Sequence, residues 1–148
     1  MLKLKLNKEK YPWYDYYKEV PHNLEYFKGT MVEYIMETAL KYPNLYALEY
    51  YNNRVTYKEF IDKIIDCAKA LKVIGVKEGD IVSICMPNTP SALYMFYAVN
   101  LIGGVSNMIH PLSSEKEIEM YLNKTKSKVI MTIDFTYKKV INIINIGT

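Results

Sequence analysis

"GDIVSICMPNTPSALYMFYAVNLIGGVSNMIHP", Gly79 to Pro111, decides the fold, because no charged residue falls between Ile81 and Ser114. Such a run is either a membrane span or a buried strand and helix. Pro87, Asn88 and Pro90 break it near one end, and Gly103, Gly104 and Asn107 near the other. The uninterrupted part, "LYMFYAVNLI", is about half of the roughly 20 apolar residues that a spanning helix needs. Being apolar nearly all round, it reads as a buried helix, with Pro90 as its first residue and Asn88 or Thr89 as its cap. "DIVSICM" before it is short and rich in β-branched residues, which suits a strand buried on both faces of a parallel sheet.

The pattern repeats downstream. "GVSNMI" reads as a second strand. "SSEKEIEMYLNKTK" follows, with Ser114 and Glu117 spaced as a capping box. Its acids come first and its lysines last, as the helix dipole favours. "KVIMTI" is a third strand, and "DFTYKKVINII" a helix with Asp134 at or near its cap. Parallel strands are expected near Ile81–Cys85, Val105–Met108 and Val129–Ile133. The fold class is α/β, a three-layer open sheet built from parallel βαβ units, with the helix from Pro90 as the most buried.

Upstream, "TYKEFIDKIIDCAKALKVIG" is an amphipathic helix opened by a second capping box, Thr56 and Glu59. Phe60, Ile64, Cys67, Ala68 and Leu71 share a stripe, and Gly75 stands at the C′ position. "YALEYYNNRVTY" reads as a hairpin with Asn52-Asn53 at a turn that needs positive φ. "TMVEYIMETALKYP" is another helix, stopped before Pro43. The division expected is an extended tyrosine-rich segment over 1–29 and an α/β unit over 30–148.

Composition narrows the partners. The net charge is +3, and Arg54 is the only arginine. Base readout and phosphate clamping favour arginine's fork, so no nucleic-acid partner is expected. Cys67 and Cys85 lack metal spacing and read as buried free thiols of a reduced compartment. "LKLKL" never forms the apolar core of a signal peptide, so a cytoplasmic location is expected. The opening "MLKLKLNKEK" reads as a solvated tail or short edge strand, contact with acidic lipid being the alternative. Several of the 15 tyrosines crowd into Tyr11–Phe27. Pro12 and Pro21 favour extended backbone there, lying on the domain with ring faces buried and hydroxyls wet, rather than a sticky recognition surface.

Ligands of an open parallel sheet bind beyond the carboxyl ends of its strands. Those ends supply Asn88, His110, Ser113 and Asp134 as candidate cleft residues. Each also has a structural explanation: Asn88 and Asp134 as helix caps, Ser113 or Ser114 as the cap of the helix that follows it, and His110 as a lone turn histidine before Pro111. No serine sits in a nucleophile elbow, and no glycine pattern makes a phosphate loop. Gly103-Gly104 lies at the wrong end of a strand to cradle phosphate and reads as a helix stop. No catalytic, cofactor-binding or metal-binding residue is assigned.

The order of these features resembles the N-terminal part of the adenylate-forming acyl-CoA synthetases, the AMP-binding enzymes. The points of resemblance are "TYKEF" opening a helix, "GVKEGDIVSICMPNTP", the "GGV" strand start, and the helix and strand ending in Asp134. "VPHNLEYFKGTMVEYIMETALKYP" is similar to the lead-in of the fatty-acid and related carboxylate–CoA ligases. The likeness runs from about Val20 to about Ile144. It implies a longer ligase of fatty-acid metabolism that uses ATP and magnesium to make an acyl-adenylate and passes the acyl group to coenzyme A. The family's phosphate loop, nucleotide and magnesium motifs and catalytic lysine lie downstream of the matching region. The piece in hand is therefore expected to be inactive scaffold whose partner is the remainder of the longer chain, and to self-associate when alone. A small flavodoxin-like or protein-interaction module is the alternative.

Overall fold

The computed structural model describes residues 11–146. The lysine-rich opening and its edge-strand reading lie outside the described residues. After a short 3-10 helix, Pro12–Tyr16, the chain runs α1 (Met31–Lys41), β1 (Tyr46–Tyr50), β2 (Asn53–Thr56), α2 (Tyr57–Val73), β3 (Ile81–Cys85), α3 (Pro90–Leu101), β4 (Val105–Met108), α4 (Glu115–Thr125), β5 (Val129–Thr132) and α5 (Asp134–Ile146). The alternation of strand and helix from Ile81 onward is therefore as the sequence predicts, with the third strand ending one residue early.

The three strands form one sheet in the order β4-β3-β5. β3 pairs in parallel with both neighbours, Ile81 opposite Val105 and Val82 opposite Val129. The central position of β3 explains its uninterrupted burial from Val82 to Cys85. Side chains of successive residues alternate between the faces. Val82 and Ile84 join Phe60, Ile64, Ala68 and Leu71 of α2 and Met95, Ala98 and Val99 of α3. Cys85 packs instead with Ile109 and with Ile118 of α4. Helices thus cover both faces, giving the three layers. In α3 only Ser91 and Leu93 are exposed, which makes it the most enclosed helix, as its uncharged sequence demands.

Ser83 is the polar exception on the buried strand, and it is fully partnered. Its hydroxyl receives a hydrogen bond from Asn107 Nδ2 at 2.8 Å and pairs with the Ser127 hydroxyl at 2.6 Å. Ser127 in turn pairs with Thr125 at 2.8 Å, and Thr125 donates to the Tyr121 carbonyl. A buried polar group is tolerated when its bonds are made, and these tie β3, β4 and the end of α4 together.

The helix starts follow the capping chemistry. Thr30, Thr56 and Ser114 each close a reciprocal box, with Glu33, Glu59 and Glu117. Thr89, not Asn88, caps α3 by accepting from the Ala92 N–H. Gly75 adopts φ +88° at the end of α2. Three readings need correction. The hairpin turn is Tyr51-Asn52, with φ of 47° and 64°, and Asn53 already pairs with Tyr50. Cys67 is only half-buried, whereas Cys85 is buried. Burial pushes both thiols above their usual range, so they stay protonated.

The third correction concerns the tyrosine-rich segment. Residues Pro12–Tyr16 are helical rather than extended, and none is buried. The rings from Tyr11 to His22 stack on one another, and among the described residues of the segment only Phe27 meets a ring of the domain, Tyr34 at 5.2 Å. Trp13 meets Tyr11 edge-on at 5.0 Å, and His22 lies flat on Tyr14 at 4.5 Å. Their local self-contact was available from spacing alone, but the proline argument pointed to extended backbone. Pro12 occupies the start of the 3-10 turn, where its missing N–H costs nothing.

At the amino ends of the strands a polar clasp replaces apolar packing. Asp80 accepts from Lys128 Nζ and from the Lys77 N–H, each at 2.7 Å. Lys128 Nζ also donates to the Gly75 carbonyl at 2.7 Å. The Lys128 hydrogen bond, then the Lys77 N–H, hold the Asp80 carboxyl below its usual range. A depressed folded-state pKa contributes stability above the unfolded value, and that contribution is lost as pH falls through the folded one. We expect acid unfolding to steepen below about pH 4, the ordinary aspartate range. Asp80→Asn should flatten that limb in a pH series of thermal melts; an unchanged slope would remove Asp80 from the acid response.

Candidate functional site

α3, α4 and α5 all begin at the carboxyl ends of the parallel strands. Their amino termini, with free N–H groups and the positive ends of their dipoles, therefore gather on the side where ligands of open sheets bind. A cleft of about 420 Å³ opens there, lined by Met86, Pro87, Asn88, His110, Pro111, Leu112, Ile133 and Phe135.

Two of the four sequence candidates, Asn88 and His110, line this cleft. Ser113 and Asp134 sit beside it without lining it. Ser113 closes the turn after His110, its N–H bonding the His110 carbonyl at 3.0 Å. The Ser113 carbonyl accepts from Lys139 Nζ at 3.3 Å, which docks α5 against the start of α4. Asp134 opens α5 and is exposed. The His110 imidazole accepts the Leu112 N–H on Nδ1 at 3.2 Å, which leaves the proton on Nε2. That bond explains the histidine as a turn element, closing the loop in the way an Asx side chain does. Among the described residues no hydrogen bond joins His110 to a hydroxyl or a carboxylate, so no proton relay is assembled.

Sequence reasoning missed two things here. Thr136 is fully buried beneath the cleft, its hydroxyl bonded to those of Thr132 and to the Ile133 carbonyl. Its position two residues into the helix read from Asp134 onward was the available signal. The second is an apolar groove of about 380 Å³ beside β4, between the β1–β2 hairpin and the start of α3. Leu48, Tyr50, Pro90, Leu93, Phe96 and Met108 line it. It forms from elements distant in sequence, so no local pattern announces it.

Among the described residues no three His, Cys, Asp or Glu side chains converge as metal ligands. The positive-φ glycines, Gly75, Gly79 and Gly103, sit at the amino ends of the strands, opposite the cleft. The residues present do not by themselves fit an ATP–magnesium complex, and no chemical step is assigned to them.

Three parallel strands with helices on both faces, opening a cleft at the strands' carboxyl ends, define an α/β ligand-binding scaffold of the kind found in adenylate-forming ligases. The profile of the AMP-binding enzyme family matches residues 35–146, and the chain belongs to that family. A long-chain-fatty-acid–CoA ligase of Bacillus subtilis is 28% identical over 131 residues, which are 88% of this chain and 23% of the relative. The human mitochondrial acyl-CoA synthetase short-chain family member 3 is 30% identical over 119 residues, 80% of this chain and 16% of the relative. The chain thus spans less than a quarter of the length of these curated relatives. The fold is shared with the N-terminal domain of FACL13 from Mycobacterium tuberculosis, at TM-score 0.74 and 23% identity over 77% of this chain and 30% of that one. It is shared also with the anthranilate–CoA ligase AuaEII, at TM-score 0.74 and 18% identity over 77% of this chain and 22% of that one. A flavodoxin-like or stand-alone interaction module finds no support. Among the described residues no helix is long and apolar enough to cross a membrane.

Proposed function

We propose that residues 30–148 are the scaffold part of an ATP-dependent carboxylic acid–CoA ligase, with 1–29 as a separate leading segment. The reaction is carboxylate plus ATP to acyl-adenylate and pyrophosphate, then transfer of the acyl group to the coenzyme A thiol with release of AMP. The family match over residues 35–146 carries the reading. The Bacillus relative's name favours a fatty acid as the substrate, and the resemblance of Val20–Pro43 to the lead-in of fatty-acid and related carboxylate–CoA ligases points the same way. Magnesium and ATP are held by residues of the longer protein outside this piece. The chain in hand supplies the sheet, and packs through its open faces against the remainder of that protein or, alone, against a second copy. The faces in question are the apolar groove and the edge strand β4, where Val105 and Met108 stand exposed. Exposed apolar patches of this kind are usually covered. A cytoplasmic location fits such a ligase.

Adenylation depends on preorganised donors around the phosphates and the developing charge, usually the largest catalytic contribution. The 148-residue chain alone is therefore expected to give no ATP–pyrophosphate exchange with any carboxylic acid. A chain extended to the length of its relatives should give fatty-acid-dependent exchange. Exchange above background by the pure short chain would overturn the scaffold assignment, and silence of the extended chain with all acids would overturn the ligase reading.

A further inference from the structure

Several aromatic residues that the ligase reading leaves unused converge on a pocket away from the cleft. It holds about 630 Å³ and is bordered by the lead-in to α1, by α1 itself, by the start of α2 and by α3. Tyr26, Phe27, Tyr34, Tyr57 and Tyr97 bring rings to it from all four of these parts. Tyr57 and Tyr97 are half-buried, and Tyr97 stands edge-on to Phe96 at 5.3 Å and to Phe60 at 5.8 Å. Phe27 packs on Tyr34, and Gly29 permits that placement, because a Cβ there would collide with the Phe27 ring. Charge at the pocket has one sign. Glu25 is the only charged residue that lines it, and among the described residues its carboxylate has no ion-pair partner. Lys28 is exposed and does not line the pocket. The positive end of α1 is offset by Glu33, whose carboxylate closes the capping box with Thr30. Thr30 and Thr38 also line the pocket, but their hydroxyls are already engaged within α1, on Glu33 and on the Tyr34 carbonyl. Aromatic walls beside a carboxylate, with few free acceptors, favour a cation that carries no N–H donors of its own.

We propose that this pocket binds the quaternary ammonium group of a small soluble molecule, the rings enclosing the cation and Glu25 supplying the counter-charge. The site stands apart from the ligase reading, since it uses no residue of the cleft or of the groove beside β4.

Choline is the probe, set against its uncharged isostere, which carries a tert-butyl group in place of the trimethylammonium. The pair differ in charge at nearly equal shape. Calorimetric titration of the 148-residue chain should show saturable choline binding, about tenfold or more tighter than the isostere, a ratio within reach of one partly desolvated cation–π contact. Tyr34→Leu should weaken choline about threefold or more and leave the isostere unchanged, and Tyr34→Phe should keep the parent affinity. Tyr34 is 59% exposed, so the circular dichroism of both variants should match that of the parent. Glu25→Gln should weaken choline as well and lessen the effect of salt on its binding. Equal binding of choline and the isostere, no saturation by choline in the millimolar range, or choline binding indifferent to both Tyr34→Leu and Glu25→Gln would each overturn the proposal. Co-sedimentation of the chain with phosphatidylcholine vesicles that choline reverses would overturn it in favour of a lipid headgroup as the occupant.

Discussion

Ile84→Asp should abolish the cooperative unfolding transition of this chain. Ile84 is fully buried on the central strand, in the cluster that joins the sheet to α2 and α3. Its backbone pairs on both sides, opposite Met108 and opposite Met131, so the strand has no freedom to turn the side chain outward. A one-residue slip would exchange its two faces entirely, driving Ser83 into the apolar layer. An unpaired carboxylate there costs several kcal/mol even after it takes up a proton. That is comparable with the total stability of a domain, about 5–15 kcal/mol. Ile84→Val separates the charge effect from simple loss of volume. It should cost only about 0.5–1.5 kcal/mol, or a few degrees in a thermal melt of a chain this long, at roughly 2–4 °C for each kcal/mol. A melting temperature for the aspartate variant within a few degrees of the parent would mean that β3 is not the centre of the core.

The same strand shows what a sequence makes legible. "DIVSICM" announced burial on both faces through its run of β-branched residues, and the parallel sheet, the enclosed α3 and the capping boxes at Thr56 and Ser114 followed from local chemistry. Readings failed where two local rules competed. At the hairpin, Tyr51 takes the positive φ that the asparagine pair suggested for Asn53. There the β1–β2 register, Tyr50 opposite Asn53, overrides residue preference. In the tyrosine-rich segment, proline's bias toward extended backbone lost to ring-on-ring contacts across a single turn. The cleft was legible in part. Its strand-end position follows from topology, and Asn88 and His110 do line it. That Ser113 and Asp134 stand aside depends on the path of each turn after the strand, which residue type does not specify. The apolar groove beside β4 was not legible at all, because the hairpin and α3 that form it meet only in three dimensions.

Gly104→Val should destabilise the chain by about 3 kcal/mol, near the upper end of the overpacking range, and by more than Gly103→Ala. The two adjacent glycines read alike in sequence, as a helix stop, yet they do different things. Gly103 has φ +76°, the left-handed conformation that ends α3. A Cβ there would meet Glu78 Cγ at 2.9 Å, a side chain free to swing aside. Its replacement by alanine therefore costs chiefly backbone strain, about 1–2 kcal/mol. Gly104 has no positive φ. Its Cβ would instead lie 3.0 Å from Val99 Cγ1, 3.2 Å from the Asp80 carbonyl oxygen and 3.3 Å from the Val99 carbonyl oxygen. Val99 is fully buried, and the Asp80 carbonyl accepts the Val105 N–H at 2.9 Å, the hydrogen bond that starts the β3–β4 ladder. Neither backbone oxygen can retreat without loosening the end of α3 or that first rung. The branched valine adds two methyl groups to the same crowded spot. Urea midpoints for Gly103→Ala, Gly104→Ala and Gly104→Val would test the order. It should run from the smallest loss in the first to the largest in the last, with unchanged slopes in denaturant. If Gly103→Ala proved the most damaging, positive φ alone would explain the pair, and the close approach of α3 to the start of β4 would carry no energetic weight.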